Sequence, residues 1–495
     1  MSHDFSRRAF LGGLVSSVGA AGRAAAPNTS LRPKARPGGV TRRTATTAEA
    51  LIAQARLGGS VSFAVVDVKT GEVLEEHGAR NAQPPASVTK AVTALYALDA
   101  LGADHRFETR LIAAGTVSGG VLNGDLILAG GGDPTLDTDA LADLARKLKA
   151  AGVREVRGTL RAWGGALPLV RKLDSTQPDH VGYNPTVSGL SLNFNRVHFE
   201  WKRQGGKYRV TMDARSAKYR PEVRVARMTV AARKAPVYTY RDKDGYDDWT
   251  VAQGALGNGG ARWLPVRKPE AYATEVFASF ARSHGIVLKP GAPLKSRPGG
   301  RVLATHRSAP LRDILRDLLK YSNNLTAEAV GLSASVARGG GRSLRNSAQE
   351  MSRWARGQLG MVDAAFVDHS GLSDASRVTA SAMATGLARV HRAGALKPIL
   401  KPIALRQENG KVNSGHPIEV AAKTGTLYFV SALAGYLTAA DGSDLAFAIF
   451  TANAKQRAGI DSKSGTRPPG ASGWNRRSKT LQQKLIQRWG TVYGS

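Results

Sequence analysis

The chain contains no cysteine, which excludes disulfides, thiolate metal sites and cysteine nucleophiles together. Its ten histidines are scattered, with no HExxH and no short-spaced pair, so the sequence predicts no dedicated metal site and no cofactor. Acidic residues are scarce: 38 Asp and Glu stand against 70 Lys and Arg, a formal charge of +32. A surface so basic favours an anionic partner such as nucleic acid, anionic lipid or a carboxylate-rich polymer. Apart from the N-terminus, no apolar run approaches the length needed to span a bilayer. What is present is ordinary for a folded protein: 42% apolar and 22% charged residues over a length of 495. That composition excludes global disorder, and the length allows about three domains.

The first 26 residues read as a targeting segment. Ser6-Arg7-Arg8-Ala9-Phe10-Leu11 is similar to the twin-arginine export motif, the apolar stretch Leu11–Ala21 follows, and Ala24-Ala25-Ala26 supplies the small residues of a cleavage site. Residues 27–43 are rich in Pro, Gly and Arg without periodicity, which predicts a basic linker.

Beyond the linker, Thr47-Ala48-Glu49 with Leu51, Ile52 and Ala55 predicts a capped helix. Ser60–Val68 and Glu72–Glu76 predict a hairpin around Lys69-Thr70-Gly71. Near the other end, Val420–Leu427, Ser431–Leu437 and Leu445–Ala452 predict three strands, the last two turning at Asp441-Gly442. Leu481, Leu485, Ile486 and Trp489 mark a closing amphipathic helix. Strands from both ends can therefore share one antiparallel five-stranded sheet, provided that all between them is helix or insertion. Pro84–Leu101 reads as one helix closed by Gly102, and Leu311, Ile314, Leu315 and Leu318 mark another ending near Tyr321. Residues 105–300 read as β-rich, with no enzyme signature of their own.

Three short motifs carry chemistry. Ser87-Val88-Thr89-Lys90 is the only SxxK of the chain. At the first turn of a helix this spacing puts a serine and a lysine on one face. A serine hydroxyl needs a group to remove its proton before it attacks, and a neutral lysine can serve. Alone the pattern is weak, since it arises by chance about once in a chain of this length. Ser322-Asn323-Asn324 is an SxN between two helical patterns, and Lys423-Thr424-Gly425 is a KTG along a strand whose edge a substrate backbone could join. Each has a second copy. Ser191-Leu192-Asn193 reads as part of a strand over Leu190–Phe194, and Lys69-Thr70-Gly71 as a hairpin turn. Both copies are assigned to structure.

SxxK, SxN and KTG in this order resemble the penicillin-binding protein and serine β-lactamase superfamily. Within it the chain is most similar to the D-alanyl-D-alanine carboxypeptidase/endopeptidase family, the class C low-molecular-mass penicillin-binding proteins. Pro84–Lys90, Gly124–Leu136, Tyr183–Pro185 with Leu190–Asn195, Tyr321–Glu328 and Asp368–Ser373 all carry the likeness. Ser322 lies 232 positions after Lys90, room for the two extra domains that the family places there. Two departures stand out. His369 takes the position where the family usually has Gly, and the Arg-x-Asn that often follows is absent, with Ser376 before Arg377.

The resemblance implies an α+β fold with two mostly β inserted domains between SxxK and SxN. The catalytic domain is expected over 44–107 and 301–495, one inserted domain over 108–132 and 188–300, and the other over 133–187. It implies that Ser87 is the acylated nucleophile and Lys90 its general base. Ser322 relays a proton to the leaving group, and Asn324 holds Lys90 and the substrate amide. Lys423 with Thr424 meets the substrate carboxylate, and Gly425 lets a backbone approach. The backbone N–H groups of Ser87 and Thr426 form the oxyanion hole. On this reading Lys90 is neutral, Lys423 stays charged, and the two titrate together. Implied partners are peptidoglycan peptides and, as covalent inhibitors, β-lactams; nucleic acid is excluded and membrane association is at most peripheral. The implied location is periplasmic. Two other readings remain at this point: a β-lactamase-type hydrolase, for which no motif of an additional deacylating base is found, and a non-catalytic basic protein binding the cell wall.

Overall fold

In the computed structural model, residues 45–494 are described apart from 408 and 462–466. The expected export segment and linker lie outside the described residues. The chain begins with helix α1 (Ala48–Ala55), strands β1 (Ser60–Asp67) and β2 (Val73–His77), and helix α2 (Thr89–Leu101). There follow β3 (Glu108–Ser118), β4 (Val121–Gly130), α3 (Thr138–Ala150), β5 (Glu155–Trp163), β6 (Arg196–Gln204), β7 (Lys207–Asp213) and β8 (Ala226–Ala231). Next come β9 (Tyr238–Lys243), β10 (Tyr246–Ala252), β11 (Gly259–Pro265), α4 (Pro269–Ser283), β12 (Val287–Pro290) and β13 (Arg301–Arg307). The last part holds α5 (Leu311–Tyr321), α6 (Asn324–Ala337), α7 (Leu344–Leu359), α8 (Ala380–His391) and β14 (Lys401–Pro402). It closes with β15 (Glu419–Leu427), β16 (Val430–Thr438), β17 (Asp444–Ala452), α9 (Ala454–Ala458) and α10 (Ala471–Tyr493).

The two ends of the chain share one sheet, in the order β14-β15-β16-β17-β1-β2. Its pairs are antiparallel, and β1 joins β17 in the register Ser60↔Ala452 to Asp67↔Leu445. Both faces are covered, which explains why β1 reads as a near-continuous apolar run. Phe63 and Val65 pack with Phe447 and Ile449 against α1 and α10. Ala64 and Val66 join Ala448 and Phe450 in the opposite core, with Val92, Leu315, Val330 and Leu387 from α2, α5, α6 and α8. The period of two sorts side chains between two helical layers. A sixth strand, β14, was not expected; with only two residues it leaves no periodic signal.

The 105–300 region builds a second core. Strands β12-β5-β4-β3-β13 form one sheet, whose Leu126, Leu128 and Leu160 pack with Leu141, Leu144 and Leu148 of α3 and Phe277 of α4. Trp249 of β10 and Phe199 of β6 extend this core to two three-stranded sheets, β8-β10-β9 and β11-β6-β7. The region is β-rich as expected but also carries α3 and α4. Sheet pairing joins residues across the expected boundaries at 132/133 and 300/301, because β5 pairs with β4 and β13 pairs with β3.

Two local expectations are corrected. Pro84–Leu101 is not one helix: Ala86–Val88 form a 3-10 turn, and the α-helix starts at Thr89. Ala86 has φ +46°, which interrupts helical geometry next to Ser87. Leu190–Phe194 is not a strand. Asn193, Phe194 and Asn195 all have positive φ, and the buried Asn195 accepts from Leu192 N–H through Oδ1 at 3.1 Å. Asn side chains favour such turns by bonding nearby backbone. Ser191–Asn193 nevertheless serves structure, as assigned.

Candidate active site

Ser87 lies in the 3-10 turn that leads into α2, and Lys90 one turn later is fully buried. The Lys90 Nζ makes three hydrogen bonds: to Ser87 Oγ at 3.0 Å, Asn324 Oδ1 at 2.8 Å and the Ser370 carbonyl at 2.6 Å. Asn324 Nδ2 donates to the Tyr183 carbonyl at 2.7 Å, so the orientation of its amide is set. The Asn324 oxygen and the Ser370 carbonyl can only accept. A neutral amine has two N–H groups and one electron pair, and the two acceptors use both N–H groups. The pair is left for the Ser87 hydroxyl.

Ser322 ends α5 in the left-handed region, φ +61°, and Asn323 caps α6 by accepting from Thr326 N–H at 3.0 Å. This tight passage turns Ser322 toward Lys423, whose Nζ donates to Ser322 Oγ at 2.9 Å and to the Thr424 carbonyl at 2.7 Å. Lys423 is buried beneath the cleft rather than in it, whereas Thr424 is exposed and lines it. A Cβ at Gly425 would stand 2.8 Å from the Pro85 carbonyl and 3.0 Å from Ser87 N. Glycine is thus what allows β15 to lie against the Ser87 turn. Strand β14 covers only Ala421 and Ala422 of β15, and the stretch from Thr424 through Leu427 lines the cleft.

Burial lowers Lys90 from 10.5 to about 8, against the opposing pull of Glu328 and Asp368. Lys423 is held well below its usual range, first by burial and then by Lys90 and Lys401. This departs from the expectation that Lys423 stays charged while Lys90 is neutral. Both amines are desolvated, and the charges acting on Lys423 are the like charges of Lys90 and Lys401.

Sequence reasoning missed three members of this network: the Ser370 and Tyr183 carbonyls and Glu328. Backbone carbonyls leave no sequence signal. Glu328 does leave one, because it follows Asn324 by four residues and so shares its helix face. His369 points away from the cleft. Its ring meets Ser347 Oγ at 2.7 Å, stacks on Tyr96, and is kept neutral by burial, which lowers it to about 3. A Cβ at Gly331 would stand 2.2 Å from that ring, so Gly331 makes room for His369. Ser376 turns inward and accepts from Val367 N–H at 3.1 Å. Both departures are absorbed by the core.

The cleft is a cavity of about 1560 Å³ lined by Ser87, Ser322, Asn324 and Thr424 together with Tyr183 and Arg262 from the inserted region. The model of the D-Ala-D-Ala carboxypeptidase 3 (S13) family matches residues 44–467. A D-alanyl-D-alanine carboxypeptidase of Actinomadura sp. (strain R39) is 31% identical over 443 residues, covering 81% of this chain and 79% of that protein. The D-alanyl-D-alanine carboxypeptidase DacB of Haemophilus influenzae is 24% identical over 441 residues, with 83% and 89% covered. The crystal structure of penicillin binding protein 4 (dacB) from Haemophilus influenzae superposes with a TM-score of 0.72 at 20% identity, over 89% of this chain and 99% of that one. That likeness bears on the fold alone, and it agrees with an α+β penicillin-binding-protein fold carrying extra β-rich parts. With motifs, fold and sequence match in agreement, the chain belongs to the D-Ala-D-Ala carboxypeptidase 3 (S13) family, the serine D,D-carboxypeptidases among the penicillin-binding proteins.

Proposed function

We propose that Ser87 is the nucleophile with which this carboxypeptidase opens D-alanyl-D-alanine bonds of peptidoglycan stem peptides. The observation that carries this reading is the threefold coordination of Lys90, which in the neutral amine leaves one electron pair for the Ser87 hydroxyl. Ser87 Oγ attacks the carbonyl carbon of the penultimate residue and its proton passes to Lys90. The developing oxyanion lies between the backbone N–H groups of Ser87 and Thr426. The C–N bond then breaks, and Ser322, hydrogen-bonded to Lys423, passes a proton to the leaving nitrogen. Water attacks the resulting ester, Ser87 regains a proton, and the shortened peptide leaves as a carboxylate.

Thr424 meets the terminal carboxylate of the substrate, and Lys423 acts from beneath it. A carboxylate arriving above Lys423 favours its charged form, and a charged Lys423 favours a neutral Lys90. The remaining cleft wall suits an anionic peptide, since Arg262, Lys401, Arg406, Arg476 and Lys479 line it. That wall, and the cleft volume of about 1560 Å³, also support cleavage of cross-linked peptides. β-Lactams enter as substrate mimics and acylate Ser87. An assembled Ser87–Lys90–Asn324 site argues against the non-catalytic alternative. Among the described residues no helix is long and apolar enough to cross a membrane. With the Arg7-Arg8 segment as its export signal, the enzyme acts on the cell wall from the periplasm.

Intact-mass spectrometry after mixing with benzylpenicillin tests the assignment. One adduct is expected, and peptide mapping should place it on Ser87. Ser87→Ala should abolish it with little change in thermal unfolding. An adduct on any other serine overturns this reading.

A further inference from the structure

A fully buried carboxylate stands beside the catalytic amine and has no role in the steps above. Glu328 is 0% exposed. Its two oxygens accept from the backbone N–H groups of His369 and Ser370, each at 2.9 Å. Those N–H groups belong to the segment whose Ser370 carbonyl takes the shortest of the Lys90 hydrogen bonds, 2.6 Å. Asp368 anchors the same segment from within, accepting from Gly371 N–H at 2.7 Å and Ser373 N–H at 2.8 Å. One face of α6 therefore holds Lys90 twice, directly through Asn324 and indirectly through Glu328 one turn later.

We propose that Glu328 is a positioning residue of the reaction: by gripping the N–H groups of His369 and Ser370 it aims the Ser370 carbonyl at Lys90 and so turns the amine's free electron pair on Ser87. Burying a carboxyl without function is costly, and a hydrophobic side chain could fill the same space. Only an acceptor with two oxygens satisfies two adjacent backbone donors at once. Burial, then the neighbouring Asp368, raises Glu328 to about 8. In its ionised form it is a negative charge close to Lys90. The other groups facing Lys90 are Asp368 on the 368–373 segment and Lys423 on β15.

The proposal rests on Lys90 being the base. Its test is the rate of benzylpenicillin acylation of the full chain from pH 6 to 10, alongside thermal unfolding. In Glu328→Gln one oxygen becomes an amide donor that faces a backbone donor, so the segment shifts. The maximal acylation rate should fall about 10- to 100-fold, since small misplacements of a reacting group cost that much. The pH of half-maximal rate should also move down, because a carboxylate that favours charged Lys90 has gone. Glu328→Asp keeps the charge on a shorter arm and should recover part of the rate with the midpoint unmoved. A merely structural role would lower the unfolding temperature and leave maximum and midpoint in place, and that result overturns the proposal. Should Glu328→Gln not fold, Glu328→Asp decides: a reduced maximum at the wild-type midpoint supports the proposal, and a wild-type maximum ends it. An unaltered Glu328→Gln beside an inactive Lys90→Arg removes only Glu328, whereas a fully active Lys90→Arg removes the base assignment itself.

Discussion

Replacing Lys90 with arginine should slow acylation of Ser87 by benzylpenicillin about 100- to 10,000-fold, the range expected when a general base is lost. Arginine keeps the positive charge and the donors, but it does not give up a proton at any useful pH. The electron pair is removed, and a larger, planar group takes its place in the buried site. In the native site that pair is available because burial lowers Lys90 to about 8. About one molecule in ten then carries the neutral amine at pH 7, against about one in a few thousand for a free lysine. The sign of the pH dependence follows. Acylation by the native enzyme should rise with pH, reach half its maximum near the Lys90 value, and level off above it. Lys90→Arg should be slow and flat between pH 6 and 10. Wild-type rates throughout that range would show that another group takes the Ser87 proton.

Gly371→Ala should be nearly as damaging, through geometry rather than protons. Gly371 has φ +70°, and a Cβ there would stand 1.8 Å from the Ala86 carbonyl oxygen and 2.4 Å from its carbon. Ala86 directly precedes Ser87 and is itself in the left-handed region. The clash is backbone against side chain, so no rotamer relieves it. Either the Ser87 turn or the 368–373 segment must move, and both hold Lys90. Acylation should fall at least about 100-fold. Gly394→Ala separates this from simple backbone strain. Gly394 has a similar φ, +66°, but nothing lies within 4 Å of its Cβ position. That variant should lose about 1–3 kcal/mol of stability and acylate at the native rate. Equal acylation rates for the two alanine variants would mean that the Ala86–Gly371 contact does not shape the site.

Much of this was readable along the chain. The hairpins at Lys69-Thr70-Gly71 and Asp441-Gly442 are where turn residues predict them, since a turn is a local device. The strands Val420–Leu427, Ser431–Leu437 and Leu445–Ala452 lie within one residue of β15, β16 and β17. Helix α5 ends at Tyr321 as its apolar spacing indicates. Where local signals failed, a long-range contact decided. Leu190–Phe194 alternates like a strand, yet Asn193 Nδ2 bonds Thr138 Oγ1 at 2.8 Å, 55 positions away, and the backbone turns instead.

The sequence by itself determined which motifs are present, their order, and that strands from the two ends meet in one sheet, because motifs and periodicities are properties of neighbouring residues. The tertiary structure decided how those groups behave. Lys90 takes its partners from positions 234 and 280 residues away, and its proton affinity depends on that enclosure. Lys423 sits beneath the cleft and Thr424 within it, a distinction that the KTG motif does not contain. Glu328 is one more acidic residue on a helix until the 368–373 segment closes over it. Burial and the direction of an electron pair depend on everything packed around a side chain, and those surroundings exist only once distant segments have come together.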